Sequence, residues 1–297
     1  MTSAGFVGLA GRPNVGKSTL VNAIVGAKVA IVSERPQTTR RAVRAIATGP
    51  GEAWQLVLVD LPGVQRPRDE LTGRMQRRVE HELADADLVL LVLDAHQGVG
   101  PGDRFIAETL LGASERPPVV AAVNKLDRLR PAQVAEVLSA VEALDVADEI
   151  YPVSARTGEG VEALVEGLVE LLPESPLLYP TQQRTDATRE QQLAELIREQ
   201  VLRRTREEIP HAVEVYVEEI SERDDGLVEV RAQVWVETES QKGILIGRGG
   251  RMVREVGTSA RKELERELGA RVFLDLQVRV RRRWRRDEAL LDRLGIE

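Results

Sequence analysis

A glycine-rich segment near the start of the chain has the composition of a phosphate-binding loop. Residues 11–19 read GRPNVGKST, which matches the pattern G-x-x-x-x-G-K-S/T, and they lie between an apolar run at 5–10 and a helical pattern. Glycines let successive backbone N–H groups converge on a phosphate, while a lysine adds charge and a serine hydroxyl can bind Mg²⁺. The segment therefore predicts a nucleotide site formed by Gly11, Arg12, Pro13, Asn14, Val15, Gly16, Lys17, Ser18 and Thr19.

A tetrapeptide after a later apolar run indicates which base is bound. In NKLD (124–127), Asp127 can accept hydrogen bonds from N1–H and from the exocyclic amino group of guanine, and adenine does not offer this pair of donors. The stem of Lys125 can lie over the purine ring, Asn124 can brace the loop, and the backbone of SAR (154–156) can donate to the guanine oxygen. The predicted ligands are therefore GTP and GDP, with base contacts from Asn124, Lys125, Leu126, Asp127, Ser154, Ala155 and Arg156.

Two other segments are expected to contact the γ-phosphate and Mg²⁺. DLPG (60–63) ends an apolar run, so Asp60 would hold Mg²⁺ through water and the Gly63 amide would contact the γ-phosphate; Leu61, Pro62 and Val64 flank them. In QTTR (37–40) we expect Thr39 to complete the magnesium shell, with Thr38 as the alternative; otherwise these threonines begin a strand. The expected magnesium ligands are thus Ser18, Thr39 and Asp60. Because hydrolysis removes the γ-phosphate, both segments would lose these contacts and could act as a switch.

Residue 64 predicts slow intrinsic turnover. Many switch GTPases place glutamine directly after this glycine to orient the attacking water, but Val64 cannot form that hydrogen bond. Hydrolysis must then depend on charge, backbone and metal, with Lys17, Thr39 and Gly63 as the expected catalytic groups.

A second glycine-rich turn occurs far along the chain. GRGG (247–250) lies between two helical patterns and no G-K-S/T follows it, so it predicts a KH-type RNA clamp rather than a nucleotide loop. Residues 242–286 carry 14 basic and 5 acidic side chains in a protein of net charge −7, and the string RVRRRWRR (279–286) favours an anion-binding surface. The predicted RNA contacts are Lys242, Ile244, Ile246, Gly247, Arg248, Gly249, Gly250, Arg251 and Arg254.

The elements that must position these residues form two patterns. Apolar runs alternate with helical patterns over residues 1–172, which predicts an α/β domain with a mostly parallel sheet and helices on both faces. A proline-rich stretch predicts a linker at 173–185. From 186 to 297 the order is helix, two alternating strands, helix, GRGG turn, helix, strand and terminal helix, which predicts a smaller α+β domain of the type II KH class.

Composition narrows the remaining function classes. The chain has no cysteine, so disulfides and thiolate metal sites are excluded, and its three histidines have no ligand spacing. No apolar run approaches eighteen residues, and the N-terminus lacks the features of a signal peptide. These observations favour a cytoplasmic protein.

Taken together, the motifs resemble the Era family, in which a GTPase domain is joined to a KH domain. GRPNVGKS (11–18), PQTTR (36–40), DLPGV (60–64), NKLD, SAR and ILIGRGG (244–250) occur in that order along nearly the whole chain. The resemblance implies a cytoplasmic GTPase that binds the 3′ end of 16S rRNA during assembly of the 30S subunit and associates peripherally with the inner membrane. It also implies that Asn14 can help to hold K⁺ near the bridge between the β- and γ-phosphates, as a fourth catalytic group. The sequence alone is equally compatible with Asn14 as an ordinary loop residue.

Three functions remain open at this point. The first is a GTP-driven timer of ribosome assembly that acts as a monomer. The second is an RNA chaperone with a nearly idle GTPase, which Val64 favours. The third is a signalling GTPase whose basic segment meets an anionic membrane, with Trp284 at the interface.

Overall fold

The structure is a computed structural model that describes residues 2–32, 39–63, 69–112, 116–205 and 209–296, with the backbone alone at 210 and 211. Its N-terminal part is built on one sheet with the strand order β2-β3-β1-β4-β5-β6. The strands are β1 (Ser3–Ala10), β2 (Val43–Thr48), β3 (Trp54–Asp60), β4 (Leu88–Asp94), β5 (Val119–Asn124) and β6 (Glu149–Pro152). All neighbouring strands pair in parallel except β2 and β3.

Helices cover both faces of this sheet, which explains why its central strands are continuous apolar runs. They are α1 (Lys17–Val25), α2 (Glu70–Ala84), α3 (Pro101–Leu111), α4 (Pro131–Glu142) and α5 (Val161–Glu170). One core packs β-strand side chains against α1 and α5, and another packs them against α3 and α4. Because parallel strands end at the same edge, the segments at the ends of β1, β3, β5 and β6 meet there, and they carry the predicted nucleotide motifs.

Strand β2 was not expected from the sequence. Its residues, VRAIAT, include two alanines and an arginine, which have low strand propensity, so the pattern is weak. Pairing with β3 in antiparallel register buries Ala45, Ile46 and Ala47 and compensates for this weakness. The register places Val43, four residues after Thr39, opposite Asp60 at the end of β3.

The C-terminal part has a second sheet with the order β7-β8-β9. Strands β7 (Glu214–Glu222) and β8 (Val228–Val236) are antiparallel, and β9 (Val272–Val280) is parallel to β8. The helices are α6 (Arg189–Arg204), α7 (Ile209–Ala212), α8 (Glu239–Ile246), α9 (Arg251–Leu268) and α10 (Glu288–Arg293). The order of these elements and the GRGG turn between α8 and α9 confirm the predicted fold class.

The expected linker lies along the edge of the first sheet. The amide of Ile46 donates to the carbonyl of Arg184 at 2.9 Å, and isolated bridges join Glu174 to Ser3 and Thr185 to Ala45. This segment is therefore fixed against the first sheet at both of its ends. The domain limits of 1–172, 173–185 and 186–297 remain our proposal.

A small apolar cluster joins the two parts of the molecule. It consists of Leu71, Met75, Trp235, Trp284, Leu291, Leu294 and Ile296, which come from α2, β8 and the C-terminal segment. The helix that follows the DLPG motif thus packs directly against the second domain. Among the described residues, no helix is both long enough and apolar enough to cross a membrane.

Candidate nucleotide site and candidate RNA interface

The loop between β1 and α1 has the backbone shape that phosphate binding requires. Gly16 has φ +102°, and a Cβ there would lie 2.4 Å from Nδ2 of Asn124. Gly11 has φ +149°, and a Cβ there would lie 2.5 Å from the carbonyl oxygen of Val92. Both positions therefore require glycine, and the loop leads into the N-terminus of α1 at Lys17, where free N–H groups favour an anion.

Lys17 is held inside this loop. Its Nζ donates to the carbonyl oxygens of Gly11 at 3.0 Å and Arg12 at 3.2 Å. Burial lowers the pKa of Lys17 from 10.5 to about 8, while the negative charge of Asp60 acts in the opposite direction. A bound phosphate would favour the charged form of this lysine.

The three predicted magnesium ligands lie together. Ser18 Oγ donates to Asp60 Oδ2 at 2.7 Å, and Thr39 Oγ1 lies 3.2 Å from Ser18 Oγ and 3.4 Å from Asp60 Oδ2. Asp60 Oδ1 is buried and has no hydrogen-bond partner within the described part of the chain. Burial raises the pKa of Asp60, and Lys17 and the two hydroxyls counteract this. A carboxylate and two hydroxyls within 3.4 Å of one another fit Mg²⁺, which prefers oxygen ligands.

Asn124 connects three loops of the site. Its Oδ1 accepts from the amides of Lys125 at 2.8 Å and Ala155 at 3.0 Å, and its Nδ2 donates to the carbonyl of Val15 at 3.0 Å. The side chain is 1% exposed. Asn124 therefore sets the distance between the phosphate loop, the NKLD segment and the SAR segment.

Lys125 bridges the phosphate loop and β4. Its Nζ donates to the carbonyl of Asn14 at 2.5 Å and to Oδ2 of Asp94 at 2.6 Å, and its backbone is left-handed with φ +70°. Asp94 is the last residue of β4 and is 1% exposed, and its Oδ1 accepts from the amides of His96 and Gln97. Asp94 thus fixes the lysine whose stem is expected to cover the base.

Both oxygens of Asp127 accept hydrogen bonds within the protein. Ser154 Oγ donates to Oδ1 at 2.6 Å, and Arg156 donates to Oδ2 through Nε at 2.9 Å and Nη2 at 2.7 Å. The pKa of Asp127 is lowered mainly by the hydrogen bond from Ser154; burial opposes this effect, and the hydrogen bond and charge of Arg156 lower the pKa further. The carboxylate is therefore kept ionised, as an acceptor for guanine must be.

The remaining predicted residues divide into those that face the cavity and those that support it. A cavity of about 530 Å³ is lined by Pro13, Asn14, Gly16, Lys17, Ser18, Thr19, Thr39, Gly63, Asn124, Lys125, Asp127, Ala155 and Arg156, among others. Val15, Leu61 and Pro62 are buried, and the Leu126 amide donates to Val153. A Cβ at Gly63 would lie 2.8 Å from Pro13, so glycine permits this close approach. Thr38 and Val64 lie outside the described residues.

Arg12 supports the loop from outside the phosphate position. Its Nε donates to Asp103 Oδ1 at 2.8 Å, and Nη2 donates to the carbonyl of Gly98 at 3.3 Å. Asp103 is buried at the start of α3. The structure thus gives the Arg12 side chain a supporting contact, while its backbone remains part of the phosphate loop.

The GRGG turn has a positive φ at three glycines. The φ angles are +71° at Gly247, +58° at Gly249 and +76° at Gly250, and a Cβ at Gly247 would lie 2.9 Å from Met252 Cβ. Ile244 is 48% exposed and Ile246 is partly exposed. Such a turn brings backbone amides and apolar side chains to one surface without a side chain in the way.

The basic residues around this turn have different roles. Arg254 Nη2 donates to the carbonyl of Gly249 at 2.7 Å, and Arg251 Nε pairs with Glu255 at 2.8 Å. In the part of the chain that the structure describes, the side chains of Lys242 and Arg248 have neither a hydrogen bond nor an ion pair. These two cations are therefore free to meet phosphate, whereas Arg254 braces the turn.

Comparison with known proteins agrees with this geometry. Residues 6–125 match the family model described as 50S ribosome-binding GTPase, and residues 208–285 match the KH domain model. The chain is 46% identical over 296 residues to GTPase Era of Mycobacterium tuberculosis (strain ATCC 25618 / H37Rv), with 98% of each chain covered. It is 45% identical to GTPase Era of Mycolicibacterium smegmatis over 295 residues.

The chain belongs to the GTPase Era family. It is therefore a GTPase, as the motifs predicted. Solved Era structures match it along its full length. Era in complex with MgGDPNP and nucleotides 1506–1542 of 16S ribosomal RNA superposes with a TM-score of 0.95, at 33% identity and 100% and 99% coverage of the two chains. A variant of Aquifex aeolicus Era bound to GDP·AlF₄⁻ superposes with a TM-score of 0.94, also at 33% identity and with 99% of each chain covered.

One expectation for the basic string of this Era-family member was wrong. Trp284 is fully buried, and its indole donates to the carbonyl of Ala212 at 2.9 Å, so it does not offer the membrane contact considered for it. Arg285 pairs with Asp69 at 2.5 Å, and Arg281 lies over the ring of Trp235. Part of the string thus belongs to the domain contact rather than to a free cationic surface.

Sequence reasoning also missed residues that organise the site in this Era-family chain. Asp94 ends an apolar strand at the same sheet edge as the motifs, which was a usable signal. Arg40 and Glu214 form a buried ion pair across the two domains at 2.9 Å, and nothing in their local sequence indicates a partner 174 positions away.

Proposed function

We propose that this protein is a GTP-hydrolysing switch that binds the 3′ end of 16S rRNA through its KH domain and acts in assembly of the small (30S) ribosomal subunit. One observation carries the proposal: a single chain combines an assembled guanine-nucleotide site with a GRGG turn, and it superposes over its full length on Era bound to MgGDPNP and nucleotides 1506–1542 of 16S rRNA. GTP binding would favour engagement of RNA, and hydrolysis would favour release.

The nucleotide is bound by residues that already lie around the cavity. The amides of residues 11–18 and the Nζ of Lys17 would hold the phosphates, and Asp127 would read guanine through its ionised carboxylate. Mg²⁺, held by Ser18, Thr39 and Asp60, would neutralise charge that develops on the phosphates. The amide of Gly63, which lies beside Pro13 of the phosphate loop, would contact the γ-phosphate.

Slow intrinsic hydrolysis follows from the residue types available. Residue 64 is valine, so no glutamine side chain at that position orients the attacking water. Asn14, exposed at the mouth of the cavity with φ +66°, either helps to hold K⁺ beside the phosphates or serves as a loop residue. Replacing K⁺ with Na⁺ at constant ionic strength distinguishes these roles. If Asn14 helps to hold K⁺, the unmodified chain should lose turnover in Na⁺, and the turnover of Asn14→Ala should no longer depend on which cation is present.

The RNA clamp is proposed to use the turn and the adjoining groove. Ile244 and Ile246 would contact bases, while Lys242 and Arg248 would contact phosphate. Arg251 and Arg254 flank the backbone path, with Arg254 bound to the turn itself. The low aromatic content of 3% agrees with an aliphatic groove rather than a stacking platform.

We further propose a cytoplasmic monomer. The assembling subunit supplies its RNA partner there. Peripheral association with the inner membrane, which the family resemblance implies, is tested by pelleting with anionic vesicles in the presence and absence of RNA. Because Trp284 is buried, such binding would depend on exposed arginines and should disappear at high salt.

GTP hydrolysis in the presence of RNA tests the proposal. Turnover is measured with Mg²⁺ and K⁺, with and without a single-stranded RNA copied from the 3′ end of 16S rRNA. The test variant is Arg248→Asp with Gly249→Asp; a Cβ at Gly249 meets nothing within 4 Å, although its φ of +58° disfavours any residue other than glycine. The matched control is Arg266→Asp with Gly269→Asp, because Gly269 also has positive φ and open space. The control lies at the far end of α9, about 27 Å away for eighteen helical residues.

Each outcome has a distinct meaning. RNA stimulation that the test variant loses and the control keeps supports an RNA-gated GTPase. RNA binding without any change in turnover would favour an RNA chaperone whose GTPase is nearly idle. Absence of RNA binding by the unmodified chain would refute the role assigned to the GRGG turn.

A further inference from the structure

The residue that follows Thr39 has its side chain anchored in the second domain. Thr39 lies beside Ser18 and Asp60 in the nucleotide site, and the next residue, Arg40, is 3% exposed. Arg40 Nη1 donates to the carbonyl of Val213 at 2.6 Å and to Glu214 Oε2 at 2.9 Å. One peptide bond therefore separates a proposed magnesium ligand from a side chain anchored in the KH domain.

The anchor of Arg40 is a buried ion network. Glu214, the first residue of β7, is 1% exposed, and its Oε1 lies 3.6 Å from both Arg41 Nη2 and Arg198 Nε. Burial alone would raise the pKa of Glu214, but the charges of Arg198, Arg41 and Arg40 lower it to about 2, so the carboxylate remains charged. A buried charge that loses its partner is strongly unfavourable, so this network holds its members in place.

Further contacts restrict the same two arginines. The guanidinium of Arg40 lies 5.5 Å from the ring centre of the buried Trp284. Arg41 donates to the carbonyl of Leu294 at 2.5 Å and pairs with Glu195 at 3.0 Å. The side chains of residues 40 and 41 are thus held by the KH domain, including its C-terminal segment.

Geometry links this anchor to the nucleotide. Consecutive Cα atoms across a trans peptide are 3.8 Å apart, so the position of Arg40 closely limits that of Thr39. Mg²⁺ requires near-ideal octahedral geometry at about 2.0–2.1 Å, which tolerates little displacement of a ligand. A displacement of Glu214 would therefore displace Arg40 and, with it, the proposed magnesium ligand Thr39.

We propose that Glu214 is a positioning residue for the GTPase reaction: through its ion pair with Arg40, the KH domain holds Thr39 where it can complete the magnesium shell. The inference rests on the proposed role of Thr39. It makes the second domain part of the nucleotide site and gives a physical route between the two domains. The GTP-bound state depends on this contact, whereas the GDP-bound state does not, because the threonine acts only when the γ-phosphate is present.

The test compares two nucleotides in the full-length chain. Affinities for GDPNP and GDP are measured with Mg²⁺, together with GTP turnover, for the unmodified chain, Glu214→Gln, Thr39→Ala and the double variant. Glu214→Gln should weaken GDPNP binding about tenfold, which corresponds to about 1.4 kcal/mol, and leave GDP affinity within about twofold. The double variant should lose no more than Thr39→Ala alone, because Glu214 acts through that residue.

Two additional variants keep the test decisive. Arg40→Lys retains the charge but is shorter and lacks the planar guanidinium that lies over Trp284, so it should reproduce the selective loss even where Glu214→Gln fails to fold. Lys28→Met removes another ion pair between the domains, with Glu199 at 2.6 Å, and should not change the ratio of GDPNP to GDP affinity.

Three results would overturn the inference. The first is an equal loss of GDPNP and GDP affinity in both Glu214→Gln and Arg40→Lys, and the second is no loss of affinity in either variant. The third is a change in the ratio of GDPNP to GDP affinity in Lys28→Met that is as large as the change in Glu214→Gln. If Thr39→Ala leaves the ratio unchanged, the proposed magnesium role of Thr39 fails as well, whereas a selective loss in Thr39→Ala alone removes only the role of Glu214.

Discussion

Replacement of Asp94 by asparagine should weaken guanine-nucleotide binding although Asp94 does not line the nucleotide cavity. Asp94 Oδ2 accepts from Lys125 Nζ at 2.6 Å, and asparagine keeps an oxygen that can still accept from the amides of His96 and Gln97. The change therefore removes the charge that orients Lys125 and leaves the turn after β4 intact. It isolates one interaction.

The magnitude follows from the type and burial of this contact. A hydrogen bond to a charged group contributes about 1.5–3 kcal/mol, and Asp94 is 1% exposed, so solvent screens the pair little. Lys125 retains its bond to the carbonyl of Asn14, which limits the loss. We expect a decrease in affinity for GDP of about 10- to 30-fold, or roughly 1.4–2 kcal/mol.

Titration of a fluorescent GDP analogue against the purified variant measures this effect. Asp148→Asn is the matched control, because Asp148 Oδ2 accepts from the Val119 amide at 2.7 Å at the opposite end of β5. The control should bind GDP normally. GDP affinity within about twofold of the unmodified chain in Asp94→Asn would refute the reasoning, and so would an equal loss in the control.

Three other perturbations have defined outcomes. Gly16→Ala should abolish nucleotide binding by calorimetry, since its Cβ would lie 2.4 Å from Asn124 Nδ2 at a φ of +102°. Gly247→Ala should lower the melting temperature more than Gly249→Ala, because a methyl group at 247 meets Met252 at 2.9 Å whereas position 249 is open; equal shifts would contradict this. The stability advantage of the unmodified chain over Glu214→Gln should be complete above pH 4.5 and decrease as the pH falls towards about 2, since the folded-state pKa of Glu214 lies below its usual value. Denaturant unfolding at several pH values measures this difference, and an advantage that grows on acidification would contradict it.

The amino-acid sequence by itself determined the chemistry of the nucleotide site. Phosphate is bound by consecutive backbone amides, so GRPNVGKST carries its function in one short segment. NKLD and the GRGG turn are similarly local, since each depends on a few residues of fixed type. The order of apolar runs also predicted the parallel sheet and the second domain, because burial on one or both faces leaves a readable period.

Only the tertiary structure decided which distant side chains support these motifs. Asp103 supports Arg12 from 91 positions away, and Glu214 holds Arg40 from 174 positions away. Strand β2 exists because β3 offers it a partner, and Trp284 is buried because two domains close over it. Such contacts depend on packing between elements, and packing does not impose a local pattern on the sequence.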